Sequence, residues 1–228
     1  MKYLKIESQG VIDSRAFSLM GASTKTGDTT KIGIFGSGLK YALAYLLRNN
    51  INFKVFSNKE QIKFSTTCEN FRDKQFNVIE INGKKTSLTT QMGLQGWKMW
   101  EVIREIYCNS IDEGNAKIST IDSILPEEQK TIFFIEISEE IETIIKDWDL
   151  YFSEKRKDIL YSHKDSRFYC GGANFIVYRK GIRCHYINRK SIFHYDVPWV
   201  EINESRNIIS AWDFEYNLIE VIKKIEDL

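Results

Sequence analysis

Residues 104–114 read Arg104-Glu105-Ile106-Tyr107-Cys108-Asn109-Ser110-Ile111-Asp112-Glu113-Gly114, and this stretch decides the fold. Glu105, Asn109 and Asp112 stand at i, i+4 and i+7, so on a helix all three share one face. Ile103, Ile106 and Ser110 point elsewhere, as packing on a sheet requires. Gly114 stands where a left-handed C-terminal cap belongs, which predicts a helix from about Gln95 to Ile111. Two carboxylates with a neutral amide between them are what a hard cation and an attacking water need. The amide supplies an oxygen ligand without adding charge beside phosphate, and a carboxylate can accept a proton from water. The same spacing is more often the polar outer face of an amphipathic helix.

A second stretch works with the first. Gly33-Ile34-Phe35-Gly36-Ser37-Gly38 runs directly into a strong helix that carries Lys40 on its first turn and continues through Arg48. Glycines there let the backbone approach an anion, and the free amides and positive dipole end of the helix favour phosphate. The polar loop ahead adds Ser23, Thr24, Lys25 and Thr26, hydroxyl and ammonium donors suited to a polyphosphate. The string is not a Walker loop, because no Gly-Lys-Ser/Thr closes it, and it lacks the dinucleotide GxGxxG after a strand. By itself it also fits a plain turn where a helix packs closely.

Around these stretches strands and helices alternate. KYLKIES reads as a strand and Ser14–Met20 as a short helix. NFKVFS, QIKFSTT, QFNVIEIN and KTSLTTQM read as strands, with Asn58-Lys59 and Asn82-Gly83 at turns. AKISTID and KTIFFIEIS follow as strands, then a less regular helix over Glu139–Tyr161. Residues 174–187 form a hairpin turning at Lys180-Gly181, and an amphipathic helix runs from about Ala211 to Ile225. No composition break marks a boundary, so the expectation is one domain over 1–228.

Composition narrows the function classes. Hydrophobic residues make up 43% and charged residues 28%, the balance of a globular chain. With 32 Lys+Arg against 31 Asp+Glu, a generic nucleic-acid coat is disfavoured, and partners of that kind are not expected. Arg179, Lys180, Arg183, Arg189 and Lys190, with Tyr178 and Tyr186 between, could face nucleic acid, but a solvated hairpin is the commoner meaning. Glu204 and Arg206 read as a salt-bridged turn. No apolar run approaches a bilayer span and the N-terminus carries no signal-peptide core, so no membrane is expected and the location expected is cytoplasmic. Cys68, Cys108, Cys170 and Cys184 form no CxxC pair and read as reduced thiols. With His163, His185 and His194, the spacings of Cys170 and Cys184 fit no zinc finger or ribbon. The Lys-, Asn- and Ile-rich composition points to an AT-rich genome, bacterial or viral.

Taken together, the helix ExxxNSxDEG and the loop STK…GxFGxGLK resemble the Bergerat nucleotide-binding fold of the GHKL group. That group contains gyrase B, the ninety-kilodalton heat-shock chaperones, sensor histidine kinases and MutL. The resemblance covers roughly residues 5–120. It implies an α+β two-layer sandwich, a mixed sheet with helices on one face, holding ATP and Mg2+. It also implies that Glu105 activates water, Asn109 holds magnesium and Asp112 lies behind them. Gly33, Gly36, Ser37, Gly38 and Lys40 would form the phosphate box, and Ser23, Thr24 and Lys25 the mobile lid. The motif order is reversed from the family's, as a circular permutation would produce. The adenine-reading box then belongs at Glu7-Ser8-Gln9-Gly10, where Gly10 matches a family glycine and Glu7 or Ser8 replaces the family aspartate. Thr86 is the candidate for the hydroxyl that supports that position. The implied function is a slow Mg-dependent ATPase acting as a conformational switch, with ATP or ADP and a protein partner or second copy as ligands. The alternative is a non-catalytic interaction module on a degenerate scaffold of the same kind. Residues 121–228 carry no assignable motif.

Overall fold

The computed structural model describes residues 1–21, 31–32, 36–93 and 96–224. The chain divides into two compact units, Met1–Ile145 and Lys146–Leu228, at a place that no shift in composition announces.

In the first unit the strands β1 (Tyr3–Gln9), β2 (Phe53–Ser57), β3 (Glu60–Ile62), β7 (Lys117–Ile121) and β8 (Lys130–Glu136) form one sheet, in the order β3-β2-β8-β1-β7. Every neighbouring pair is antiparallel. The expected mixed sheet is therefore corrected here. β1 and β2 do run in the same direction, connected through α1 (Gly38–Arg48), but β8 inserts between them and pairs antiparallel with both. The run KTIFFIE of β8 explains its central place, since Ile132, Phe133, Phe134 and Ile135 are all buried. Phe133 lies with Val55 and Phe17 under Leu39, Leu43 and Leu46 of α1 and Ile106 of α2 (Met99–Glu113). Ile132 and Phe134 point the other way and pack with Tyr3, Phe56 and Ile124.

The QIKFSTT strand splits into β3 and β4 (Phe64–Phe71). The latter starts a separate antiparallel meander with β5 (Lys74–Ile81) and β6 (Lys84–Thr89). Both expected turns form: Asn58 and Lys59 have φ of 53° and 66°, Asn82 and Gly83 of 51° and 74°. These paired positive values are what a two-residue hairpin needs to match strand twist. The short helix after β1 is a 3-10 turn over Ser14–Phe17 that buries Phe17.

The less regular helix is corrected as well. α3 spans only Glu139–Lys146, and the chain then makes a 3-10 turn at Trp148–Leu150 and is extended by Ile159. Trp148 stacks on Phe152 at 4.1 Å. In the second unit β9 (Ile159–His163), β10 (Ser166–Gly172), β11 (Phe175–Arg179), β12 (Ile182–Ile187) and β13 (Ser191–Asp196) form a sheet in the order β12-β11-β13-β10-β9. Its β11–β13 contact is parallel. The expected hairpin is present, with Lys180 and Gly181 at φ of 53° and 81°. α4 (Ala211–Ile222) closes one face through Phe214 and Leu218, packed on Phe168, Val177 and Tyr195.

Candidate functional site

α2 is anchored at its start by the Glu101 carboxylate, which accepts the Lys98 N–H at 2.6 Å. At its end Gly114 adopts φ 121° and donates its N–H to Ile111 O at 3.1 Å. Between these ends the face carrying Glu105, Asn109 and Asp112 is not a solvated surface. Glu105 and Asp112 are buried and Asn109 is half-buried. What covers them is the start of α1 and the segment before it, and so the two stretches that stood some seventy residues apart in the sequence meet.

Four contacts define the meeting. The Asp112 carboxylate accepts the Ile32 N–H at 2.9 Å, while its main-chain oxygen accepts the Lys31 ammonium at 2.5 Å. The Glu105 carboxyl group lies against Gly38, the first residue of α1. A Cβ at Gly38 would come within 2.7 Å of the Glu105 carboxyl carbon, so a larger residue there would require the Glu105 side chain to move. Tyr41, one turn into α1, meets Trp97 just before α2 with ring centroids 5.9 Å apart, so the two helices run antiparallel. The first turn of any helix presents amides without intrahelical partners and a partial positive charge. Glu105 therefore brings its negative charge to the place where an anion is best stabilised.

The surrounding charges are buried too. Arg104 Nε binds Glu105 Oε1 at 2.9 Å, with the two side chains 2% and 5% exposed. The guanidinium lies over Trp100 and Trp97, at 4.9 and 5.9 Å from their ring centroids, and its Nη2 has no hydrogen-bond partner. Lys40 is buried, and its ammonium donates to Gly36 O at 2.6 Å. Loss of solvation pushes its pKa below the ordinary lysine value. Ser37, also buried, precedes α1 without capping it through its side chain. Asn109 Nδ2 donates to Glu105 O at 2.8 Å, which leaves Oδ1 without a protein partner among the described residues.

Of the base-reading candidates, Gly10 sits at the closed end of this arrangement. Its φ is +96°, and it lies against Glu113 O while Gln9 N–H donates to Gly114 O at 3.0 Å. Strand alternation separates the other two. Ser8 pairs with Thr131 and follows Ile6 on the face that α1 and α2 cover, where it is buried. Glu7 points to the opposite face, where it is ion-paired with Lys5 and, at 3.1 Å, with Lys130. Burial works against its charge, but the two ammonium groups hold its pKa below the ordinary carboxylate value. Ser8 is thus the side chain turned toward the site, and Glu7 is not. Thr86 does not join it: its hydroxyl donates to Ile79 O at 2.7 Å and accepts Leu88 N–H at 3.1 Å, closing an irregularity between β5 and β6. Ser23, Thr24, Lys25 and Gly33 lie outside the described residues.

Arg104, Lys31 and the Trp97–Trp100 pair are site neighbours that sequence spacing does not flag, because adjacent residues on a helix do not normally face each other. In the basic hairpin Tyr186, Arg189 and Lys190 are exposed, while its other arginines turn to main-chain oxygens. Arg179 Nε donates to Val200 O at 2.9 Å, and Arg183 Nη1 donates to Leu150 O at 3.1 Å while lying over Tyr151. Tyr178 is buried, and that burial pushes its hydroxyl up to about 12. Arg206 occupies a tight turn, with its N–H on Asn203 O at 2.8 Å. None of the four cysteines forms a disulfide, and the described residues contain no group of three His, Cys, Asp or Glu able to hold a metal. No described helix is long and apolar enough to cross a membrane. Comparison with protein-family models, with curated proteins and with solved structures finds no match for this chain.

Proposed function

We propose that the first unit binds Mg-ATP in the manner of the GHKL group and hydrolyses it slowly. The observation that carries this reading is the contact of α2's Glu105–Asp112 face with Ile32 and Gly38 at the start of α1. A glycine at a helix N-terminus and buried carboxylates beside an amide oxygen are the groups a polyphosphate and a hard cation require. In this reading Glu105 takes the proton of the attacking water, Asn109 Oδ1 is a magnesium ligand, and Asp112 fixes the phosphate loop through Ile32. One amide oxygen suits Mg2+, which keeps several waters and takes its remaining ligands from phosphate. Bound magnesium supplies charge neutralisation for the phosphoryl oxygens.

Titration with Mg-ATP, Mg-ADP and a nonhydrolysable analogue should raise the melting temperature. Nucleotide at a hundredfold excess over Kd stabilises by about 2.7 kcal/mol. Glu105→Ala should reduce hydrolysis by about 100-fold or more and keep binding. Asn109→Ala should lose the magnesium-dependent part of binding. The reading fails if no nucleotide shifts the melt, or if both variants behave as the parent does.

A second reading has its own observation. Glu105 is held by Arg104 and already fills the anion seat on α1, so the unit is closed without nucleotide. As a non-catalytic interaction module it would show no nucleotide shift at any concentration, and Glu105→Gln would change stability alone.

A further inference from the structure

Two other arginines of this chain hold carboxylates through one edge of the guanidinium, the fork formed by Nε and Nη2. Arg156 meets the two oxygens of Asp158 that way, at 3.1 and 2.6 Å, and Arg15 meets Asp13 Oδ2 with both nitrogens, at 2.9 and 2.6 Å. Such a fork matches two oxygens of one oxyanion. In Arg104 it is half filled. Nε binds Glu105 Oε1 at 2.9 Å, while Nη2 beside it is buried and has no hydrogen-bond partner. The oxygen that would complete the fork is Glu105 Oε2, and it lies against Gly38 on the first turn of α1 instead. One carboxylate is thus divided between two anion-binding groups, a guanidinium and a helix N-terminus. The Arg104 side chain is 2% exposed, so bulk water does not replace the absent oxygen.

The other charged groups at this junction have partners of their own. Around α2, Glu101 accepts the Lys98 N–H, Glu140 the Met99 N–H and Asp112 the Ile32 N–H. On the side of α1, the Lys31 ammonium donates to Asp112 O and the Lys40 ammonium to Gly36 O. The Trp97 and Trp100 rings lie over the Arg104 guanidinium, and tryptophan offers no hydrogen-bond acceptor. Among the described residues of the junction, Arg104 Nη2 is the buried side-chain atom that its surroundings do not satisfy. A phosphate group has the oxygens to fill both arms of the fork and still reach the start of α1. It cannot share that seat with Glu105, because two anions would meet at the same donors.

We propose that Glu105 is a built-in placeholder for a phosphate group, which displaces it from α1 and binds the Arg104 fork. The inference deepens the nucleotide reading and rests on it for the source of the phosphate; the seat itself also takes inorganic phosphate. Displacement frees the carboxylate to accept a proton from water, so filling the seat and releasing the base are one event. Calorimetry of the full chain with inorganic phosphate at constant ionic strength tests this. The parent should bind weakly. Glu105→Gln keeps the side-chain shape, removes the competing charge and should bind phosphate tighter by about tenfold or more. Arg104→Met in the Glu105→Gln background should lose that gain, and neither change strands a buried charge, so the melting temperature verifies folding. A saturating nonhydrolysable ATP analogue should block phosphate binding to Glu105→Gln, and AMP should not. Equal phosphate affinity in the parent and Glu105→Gln, or a gain that survives the loss of Arg104, overturns the proposal. Phosphate binding that follows both variants while Mg-ATP shifts no melt supports the placeholder and removes the nucleotide reading. Mg-ATP binding of one strength in the parent and both variants keeps the nucleotide reading and overturns the placeholder.

Discussion

Two buried guanidinium groups, Arg104 in the first unit and Arg156 in the second, sit in comparable settings and are treated differently by their neighbours. Arg156 donates to Asp158 Oδ2 at 2.6 Å, to Cys170 O at 2.7 Å and to His194 Nδ1 at 2.5 Å, and it lies over the Tyr169 ring at 4.7 Å. The network continues on the same sheet face, where Asp196 accepts the Ser153 hydroxyl at 2.6 Å and the Gly181 N–H at 2.9 Å. Arg104 has two rings and one carboxylate, with Nη2 left unpaired, and that carboxylate is pressed against a glycine. Buried polar groups that find all their partners hold a fold in one state, whereas buried groups that do not are a standing cost kept for another reason. By that criterion Arg156 belongs to a fully partnered network, whereas Arg104 keeps a buried donor that its neighbours do not satisfy.

The contrast breaks most directly by substitution. Arg156→Met removes the donor from His194 and from Cys170 O and unpairs Asp158, and should lower the unfolding free energy by about 3 kcal/mol. Arg104→Met combined with Glu105→Met removes a buried ion pair that leaves one donor unsatisfied. It should fall within about 1 kcal/mol of the parent, or exceed it, while abolishing any nucleotide-dependent shift. Denaturant unfolding of both variants measures the difference, and equal losses would erase the distinction. Gly38→Ala sharpens it further. The added methyl overlaps the Glu105 carboxyl group and should cost about 2 kcal/mol. In the Glu105→Ala background the same change should cost little, so the double-mutant cycle should show a coupling of about 1 kcal/mol or more. An additive cycle would mean that Glu105 does not rest on Gly38.

The same contrast explains what the sequence could reveal. Local signals were legible: the Asn58-Lys59, Asn82-Gly83 and Lys180-Gly181 turns, the Gly114 cap and the stripe of α4 each depend on a few neighbouring residues. The i, i+4, i+7 spacing of Glu105, Asn109 and Asp112 was legible as a shared face, but whether water or another helix covered it was not. That depended on α1, far away in the chain. The expected mixed sheet failed for the same reason, because only long-range pairing puts β8 between β1 and β2. Glu7 and Ser8 were indistinguishable until register fixed which of the two faces the helices. The Glu139–Tyr161 stretch misread as one helix because its acidic and apolar spacing holds only to Lys146. Beyond that residue Trp148 and Phe152 keep the four-residue spacing of a helix, yet the chain between them makes a 3-10 turn that spacing does not distinguish.

The smallest expected effect separates the units by pH. All three histidines, His163, His185 and His194, belong to the second unit. His194 Nδ1 accepts from Arg156, and its Nε2 faces Asn174 O at 3.0 Å, so the neutral ring with its proton on Nε2 fits both contacts. Burial first, and the Arg156 charge second, push its pKa below 6.5, against smaller opposing contributions from Asn174 O and Asp158. Burial likewise lowers His185, with Glu215 opposing. For groups whose pKa is lowered by folding, the unfolded chain binds more protons. Their contribution is complete above about pH 6.5 and is lost as pH falls through the lower folded values. Protection of second-unit amides from hydrogen exchange should therefore weaken between pH 6.5 and 5, after correction for intrinsic exchange, while first-unit amides hold. His194→Gln should flatten most of that dependence by removing the proton acceptor beside Arg156. A first unit that loosened in step with the second over this range would show that the two do not divide their charges as their hydrogen bonds indicate.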